Sequence, residues 1–213
     1  MKYYPAYLDL RKRPCVVIGG GAVAERKAIA LFEAGASVTV ISPTLTPKLH
    51  ELSESGKITH LKKQYEEKDL SGEFLVIAAT DSAEVNTLVA SACRKKQVLV
   101  NVATPPEEST FIVPSVVERG DLLIAISTSG ASPAMAKKVR QDIEQRYGVE
   151  YELFLEKLSA IRQRILEEIT DESKRRKVFQ EIVDSDVIDL FRQGKTHAAE
   201  LRMAEIAGLK HRL

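Results

Sequence analysis

The chain has 213 residues, 44% apolar and 29% charged, an ordinary globular composition that allows one or two domains with a substantial core. Its formal net charge of +1 gives no global field to attract nucleic acid or an anionic membrane. No apolar run approaches the roughly 20 residues needed to span a bilayer, and Met1-Lys2-Tyr3-Tyr4-Pro5 lacks the apolar core of a signal peptide. A cytoplasmic protein is therefore expected, with no nucleic-acid or membrane partner. Cys15 and Cys93 fall in a predicted strand and a predicted helix and are not spaced as metal ligands. Buried free thiols and no metal centre are expected.

Residues 3–10 alternate loosely and read as a short strand or an extended lead-in. Arg11-Lys12-Arg13-Pro14 then turns into an apolar, β-rich run from Cys15 to Ile18, followed by Gly19-Gly20-Gly21-Ala22-Val23-Ala24. The spacing Gly19-x-Gly21-x-x-Ala24 is that of the dinucleotide fingerprint. Gly19 permits the tight turn, Gly21 lets backbone approach a pyrophosphate, and Ala24 lets the following helix pack closely on its strand. A P-loop would need Gly-Lys-Ser/Thr after the turn, and the chain has Glu25-Arg26-Lys27 instead. The helix runs to about Ala34, with Ala24, Ala28, Leu31 and Phe32 on one face and Gly35 at the C′ position. The β-branched run 37–41 completes a compact βαβ unit, and the sheet is expected to be parallel with a right-handed crossover.

At the end of that second strand a typical NAD site carries a carboxylate for the ribose 2′-hydroxyl. Here Ser42-Pro43-Thr44 stands instead, offering neither a carboxylate to repel a 2′-phosphate nor an arginine to welcome one. Ser42 fits equally as a donor to the ribose or as a turn serine before Pro43. NAD and NADP both stay open at this position.

The pattern continues with a helix over 46–55, a strand over 58–61, a polar connection over 65–70 and a buried strand over 74–79 ending in Thr80-Asp81. The next helix is expected to bury Val85, Leu88, Val89 and Ala92, with Glu84 in its first turn and Arg94, Lys95 and Lys96 at its end, as the macrodipole favours. A strand over 98–102 follows, with Asn101 near its C-terminal end. Ligands of open parallel sheets bind at the strand C-termini, so residues 19–22, 42–44, Thr80, Asp81 and Asn101 are expected to converge on one crevice.

After Pro105-Pro106 two strand-like runs, 110–117 and 122–127, flank a hairpin-type turn at Glu118-Arg119-Gly120-Asp121. Ser127-Thr128-Ser129-Gly130-Ala131-Ser132-Pro133 leads into a helix to about Tyr147, with Ser132 as N-cap and Pro133 at N1. This loop reads either as an anion site or as a plain capped turn. Lys137, Lys138 and Arg140 lie in the first half of the helix, consistent with an acidic ligand or with a solvated basic face. From 148 onward the chain reads as helical, with apolar stripes at Leu158, Ile161, Ile165 and Ile169, at Val178, Phe179, Ile182 and Val183, and at Val187, Ile188, Leu190 and Phe191. Gly194 breaks the last stripe before a helix near 196–207. His50, His60, His197 and His211 are expected on surface or structural positions away from the crevice. The fold expected is α/β: a Rossmann-type domain over 1–113, a dimerisation and substrate region over 114–147, and a small all-helical domain over 148–213.

Five blocks occur together and in order: residues 19–27, Ala78-Ala79-Thr80-Asp81, Asn101-Val102, Phe111-Ile112-Val113-Pro114-Ser115, and residues 126–133. Together they resemble the precorrin-2 dehydrogenase/sirohydrochlorin ferrochelatase family, also found as the N-terminal part of siroheme synthase. The similarity is strong over about 1–147. It implies NAD-dependent oxidation of precorrin-2 to sirohydrochlorin on the route to siroheme, in a homodimer with swapped elements. Carried over by position, the nucleotide contacts are Gly19, Gly20, Gly21, Ala22, Val23, Ser42, Pro43, Thr44, Thr80, Asp81 and Asn101. Ser127, Thr128, Ser129, Gly130 and Ser132 would face the carboxylate-rich tetrapyrrole, with Arg119, Lys137 and Arg140 as neighbours.

One position departs from the family pattern. Members that also insert iron read Asn-Val-x-Asp after the strand ending at Asn101, whereas this chain reads Asn101-Val102-Ala103-Thr104. Thr104 cannot accept a proton near neutral pH. Little or no chelatase activity is therefore expected, and a separate chelatase is a possible partner. Asp81, Glu107 and Glu108 are the carboxylates near enough in sequence to replace the missing base. The alternatives are a bifunctional dehydrogenase/ferrochelatase and a non-catalytic NAD- or tetrapyrrole-binding module.

Overall fold

The computed structural model describes residues 2–209, which divide into two compact units meeting at Val113 and Pro114. In the first unit, β1 (Pro14–Ile18), β2 (Ser37–Ile41), β3 (Thr59–Leu61), β4 (Leu75–Ala78) and β5 (Leu99–Val102) form one sheet in the order β3-β2-β1-β4-β5. Every pair is parallel. Three helices complete the unit: α1 (Ala22–Glu33), α2 (Pro47–Glu54) and α3 (Ala83–Lys95). The order reverses at β1, which lies between β2 and β4, so a crevice opens beyond the C-terminal ends of β1 and β4.

Alternation along the strands creates two cores. Cys15 and Val17 of β1 join Val38, Val40, Leu75 and Ile77 under α1 and α2. Val16 and Ile18 join Ile41, Val76, Ala78, Val100 and Val102 under α3. The first helix ends as its sequence expects: Gly35 has φ +81°, and the N–H groups of Gly35 and Ala36 return to the carbonyls of Phe32 and Leu31.

Several local expectations change. Residues 3–10, read as a short strand or an extended lead-in, form no strand, and Leu10 is buried. On α3 the buried face is Asn86, Val89, Ala90, Ala92 and Cys93, while Leu88 is 65% exposed. The strand expected from residue 110 begins only at Ser115. Residues 109–111 instead follow β5 through side chains: Ser109 Oγ and Thr110 Oγ1 accept from the Val102 and Val100 N–H groups, and Asn101 Nδ2 donates to Phe111 O.

The second unit opens with the antiparallel hairpin β6 (Ser115–Arg119) and β7 (Leu122–Ile126). Glu118 and Arg119 belong to the ladder, so the turn is only Gly120-Asp121, with the positive φ of +55° at Gly120. Five helices follow: α4 (Pro133–Arg146), α5 (Glu150–Glu168), α6 (Glu172–Asp184), α7 (Val187–Arg192) and α8 (Thr196–Ile206). Their core joins Phe154, Ile161, Ile165, Ile182, Val187, Phe191, Ala199 and Met203. Val183, expected in the second stripe, is 46% exposed. Among the described residues no helix is long and apolar enough to cross a membrane.

Candidate functional site

A cleft of about 550 Å³ opens at the reversal point of the first unit, a size typical of small-molecule sites. Its walls are the β1–α1 turn with Gly19, Gly20 and Gly21, the end of β2 with Ser42, Pro43 and Thr44, and the segment after β4 with Thr80, Asp81 and Ser82. Each wall leaves the C-terminal end of a parallel strand, which is why segments so distant in sequence meet here.

The glycine turn is fixed by its neighbours. Gly19 has φ +119° and donates to Ile41 O, while Gly20 O accepts from the Thr46 N–H. A Cβ on Gly20 would stand 1.9 Å from Thr44 O, so this glycine is demanded by the protein itself. Gly21 differs. Its φ of −84° suits any residue, and a Cβ there would meet no atom within 4 Å. The open space beside Gly21 is room for a ligand.

Helix capping points the same way. Thr46, Ser82 and Ser132 cap α2, α3 and α4 with side-chain oxygens that accept from Leu49, Val85 and Met135 N–H groups. The N-cap of α1 is Gly21, which has no side chain to offer. The helices α5, α7 and α8 also lack a side-chain cap, but α1 starts on the cleft wall, where its first-turn amides and the positive end of its dipole could meet an external anion. A diphosphate fits this cradle, since it brings charge and acceptor oxygens.

The segment after β4 is held by Asn86, which is completely buried. Its Oδ1 accepts from the Thr80 N–H and from Thr80 Oγ1, at 3.1 and 2.8 Å, and its Nδ2 donates to Thr104 O at 2.9 Å. At the other wall, His60 Nε2 lies 2.9 Å from Ser42 O. A carbonyl only accepts, so the imidazole donates from Nε2. Tyr65 lines the cleft while its ring packs on the second core; its hydroxyl is buried with no hydrogen-bond partner among the described residues, and burial pushes its pKa up to about 12. Burial likewise raises the Cys15 and Cys93 thiols to about 11.

In the second unit, residues 127–132 are organised by their own hydroxyls. Ser127 Oγ accepts from the Ser129 N–H, and Thr128 Oγ1 accepts from the Ser132 N–H while donating to Ser132 O. Ser129 and Gly130 have φ of +54° and +89°. Lys137 is exposed and, among the described residues, makes no ion pair, whereas Arg140 pairs with Glu144 and Lys138 with Asp142. Arg119 is spent elsewhere: its Nη1 donates to Glu118 O and its Nη2 reaches Glu144 O near the C-terminal end of α4. Residues 127–132 precede the opposite end of that 14-residue helix, about 20 Å away at 1.5 Å per residue.

Of the positions expected to bind nucleotide, Gly19, Gly20, Gly21, Ser42, Pro43, Thr44, Thr80 and Asp81 come together on the cleft. Ala22 and Val23 lie just inside α1 and are not on its walls. Asn101 does not reach the cleft; its amide is committed to Phe111 O. His60, expected away from the crevice, bonds to a residue of its wall. His50 pairs with Glu54 on the outer face of α2, and His211 lies outside the described residues. Gln64, Tyr65 and Asn86 had no signal beyond being polar residues near element ends. Of the three carboxylates near enough in sequence to replace a base at position 104, Asp81 alone lines the cleft. Glu108 pairs with Arg94, and Glu107 sits on the exposed turn Pro106–Glu108. Among the described residues no group of three or more His, Cys, Asp or Glu side chains is arranged to hold a metal ion.

Comparison with known proteins adds to this geometry. Residues 6–115 match the family described as putative NAD(P)-binding, and residues 119–146 the family described as sirohaem biosynthesis protein central. Siroheme synthases of Methylobacillus flagellatus and Methylococcus capsulatus are each 38% identical, over 99% and 97% of this chain. The chain spans only 46% and 44% of their lengths. A solved structure of SirC, a precorrin-2 dehydrogenase, superposes with a TM-score of 0.81 at 28% identity, covering 95% of this chain and all of the other.

Proposed function

From the premise that the chain belongs to the putative NAD(P)-binding family and is a relative of the siroheme synthases, we propose that it is an NAD-dependent precorrin-2 dehydrogenase, oxidising precorrin-2 to sirohydrochlorin. The observation that carries this reading is the uncapped N-terminus of α1 beside the open Gly21, on a cleft at the sheet's reversal point. The backbone of Gly20 and Gly21, with the first amides of α1 at Ala22 and Val23, would hold the diphosphate. Ser42 and Thr44 would face the adenosine half, and Thr80 and Asp81 the other half. We take NAD as the family resemblance implies; the Ser42 wall, with neither a carboxylate nor a cation at the turn itself, does not choose between NAD and NADP.

The nicotinamide of the bound nucleotide supplies the hydride acceptor. The chain's own task is to orient the two ligands and to deal with the proton that accompanies hydride loss. Asp81, the only carboxylate on the cleft wall among the described residues, is proposed to take it. The loop 127–132 and Lys137 are proposed to receive the tetrapyrrole's carboxylates, the loop through the hydroxyls of Ser127 and Ser129, since the Ser129, Ala131 and Ser132 N–H groups and the Thr128 hydroxyl already donate within it. The β6–β7 hairpin, whose outer face exposes Val116 and Leu123, is proposed as part of a homodimer. The two buried free thiols are in keeping with a reducing cytoplasm.

Thr104 favours a dehydrogenase with little or no chelatase activity, its product passing to a separate chelatase. Purified protein mixed with precorrin-2 and NAD should form reduced nucleotide and sirohydrochlorin. The reading fails if neither appears. Binding of both ligands without turnover would indicate a non-catalytic relative instead, and rapid insertion of a divalent metal into sirohydrochlorin would indicate the bifunctional alternative.

A further inference from the structure

We infer that Asn86 is a positioning residue that joins the segment after β4 to the segment after β5 and thereby sets the nucleotide wall of the cleft; the inference rests on the nucleotide reading above. The two strands pair up to Ala78 and Val102, and their last backbone link is the Ala103 N–H to Ala78 O bond. Beyond it the chains part, leaving the Thr80 N–H and Thr104 O without a sheet partner. Asn86 serves both. Its orientation follows from chemistry, because an N–H can only donate and a carbonyl only accept: Oδ1 must face the Thr80 N–H and Nδ2 must face Thr104 O. Nδ2 also reaches Thr80 O at 3.3 Å, so both acceptor sites and both donors of the amide are used, in a place with no solvent.

The consequence reaches the glycine turn through one residue. Thr80 follows Ala79, whose carbonyl oxygen lies 2.3 Å from where a Cβ on Gly19 would be. Backbone touches backbone here, so a shift of Thr80 moves a wall against which the turn is already closed. Position 104 is tied to the same point through its carbonyl, whatever its side chain. An aliphatic residue of Asn86's size would fill the space but take from Thr80 N–H and Thr104 O the partners that Asn86 supplies.

The test measures NAD binding by titration and steady-state oxidation of precorrin-2 for the wild type, Asn86→Ala, Asn86→Ser and Asn86→Asp, together with their melting temperatures. In folded Asn86→Ala and Asn86→Ser, NAD is expected to bind about 10- to 100-fold more weakly and kcat to fall comparably, with KM for precorrin-2 unchanged. Asn86→Asp keeps an acceptor for the Thr80 N–H but has no donor for Thr104 O, and is expected to resemble Asn86→Ala. Lower melting temperatures with unchanged NAD affinity and kcat would overturn the inference, as would failure of all three variants to fold, which would leave Asn86 a purely structural residue. Absence of NAD binding by the wild type would remove the reading of the cleft itself, a result distinct from either.

Discussion

The carbonyl oxygen of Ala79 lies 2.3 Å from the point where a Cβ on Gly19 would stand. The turn after β1 and the segment after β4 are therefore in backbone contact, and the cleft between them has a floor that no side chain can adjust. The neighbouring glycines have opposite reasons for being glycine.

Gly20→Ala is expected to destabilise the protein by about 3 kcal/mol, since the new methyl would overlap Thr44 O and force backbone apart. Gly21→Ala should leave stability within about 0.5 kcal/mol, because nothing of the protein lies near the added group. It should nevertheless weaken NAD about tenfold or more, roughly 1.4 kcal/mol, by obstructing the diphosphate. Thermal melts and NAD titrations on the two variants separate these effects. Full NAD affinity in Gly21→Ala would show that the diphosphate does not lie there.

Asp81→Asn should lower kcat by about 10²–10⁴-fold while leaving NAD affinity nearly unchanged, if the carboxylate takes the proton. Glu107→Gln, on the exposed turn, should leave both constants as they are. In the same assay Thr104→Asp should fold normally, since the side chain is exposed and only the carbonyl bonds to Asn86. Metal insertion into sirohydrochlorin should be faster with that variant than with the wild type; equal rates would remove position 104 as the reason for weak chelation.

Lys137→Ala should raise KM for the tetrapyrrole about two- to fivefold, the effect of one exposed cation facing a carboxylate, and leave NAD binding alone. Added salt should shrink the difference. Arg119→Ala should act on stability instead, because its guanidinium bonds to backbone at Glu118 and Glu144. A larger rise in KM for Arg119→Ala than for Lys137→Ala would reverse these roles.

Alkaline pH should unfold the protein early. The folded thiols of Cys15 and Cys93 keep their protons to about pH 11, against an ordinary value of 9.0, and the Tyr65 hydroxyl to about 12 against 10.0. In that window the folded chain holds protons that the unfolded chain releases, so stability falls as pH rises. The stabilisation is complete below about pH 9 and is lost through about pH 11 for the thiols, and between about 10 and 12 for Tyr65. Urea midpoints measured from neutral pH upward should stay level and then drop. The double variant Cys15→Ala, Cys93→Ala should lose less of its midpoint over the thiol window; an identical drop would assign the effect to other groups.

Much of this was written in local sequence. The β-branched run Ser37–Ile41, the glycine turn, Gly35 past the end of α1 and the Ser132-Pro133 cap each depend on residues within a turn or two of one another. Backbone preference and hydrophobic period act over that range, so the strands, the helix ends and most of the cleft wall could be read from order alone. The choice of which face α3 buries was different. Apolar periodicity put Leu88 inside, yet the core takes Asn86, because the Thr80 N–H and Thr104 O need partners that only a buried amide at that place supplies. His60 reaching Ser42 O and Asn101 turning to Phe111 O have the same cause. A polar side chain is placed by its hydrogen-bond partner, and when that partner is brought close only by the packing of strands, no reading of neighbours along the chain contains it.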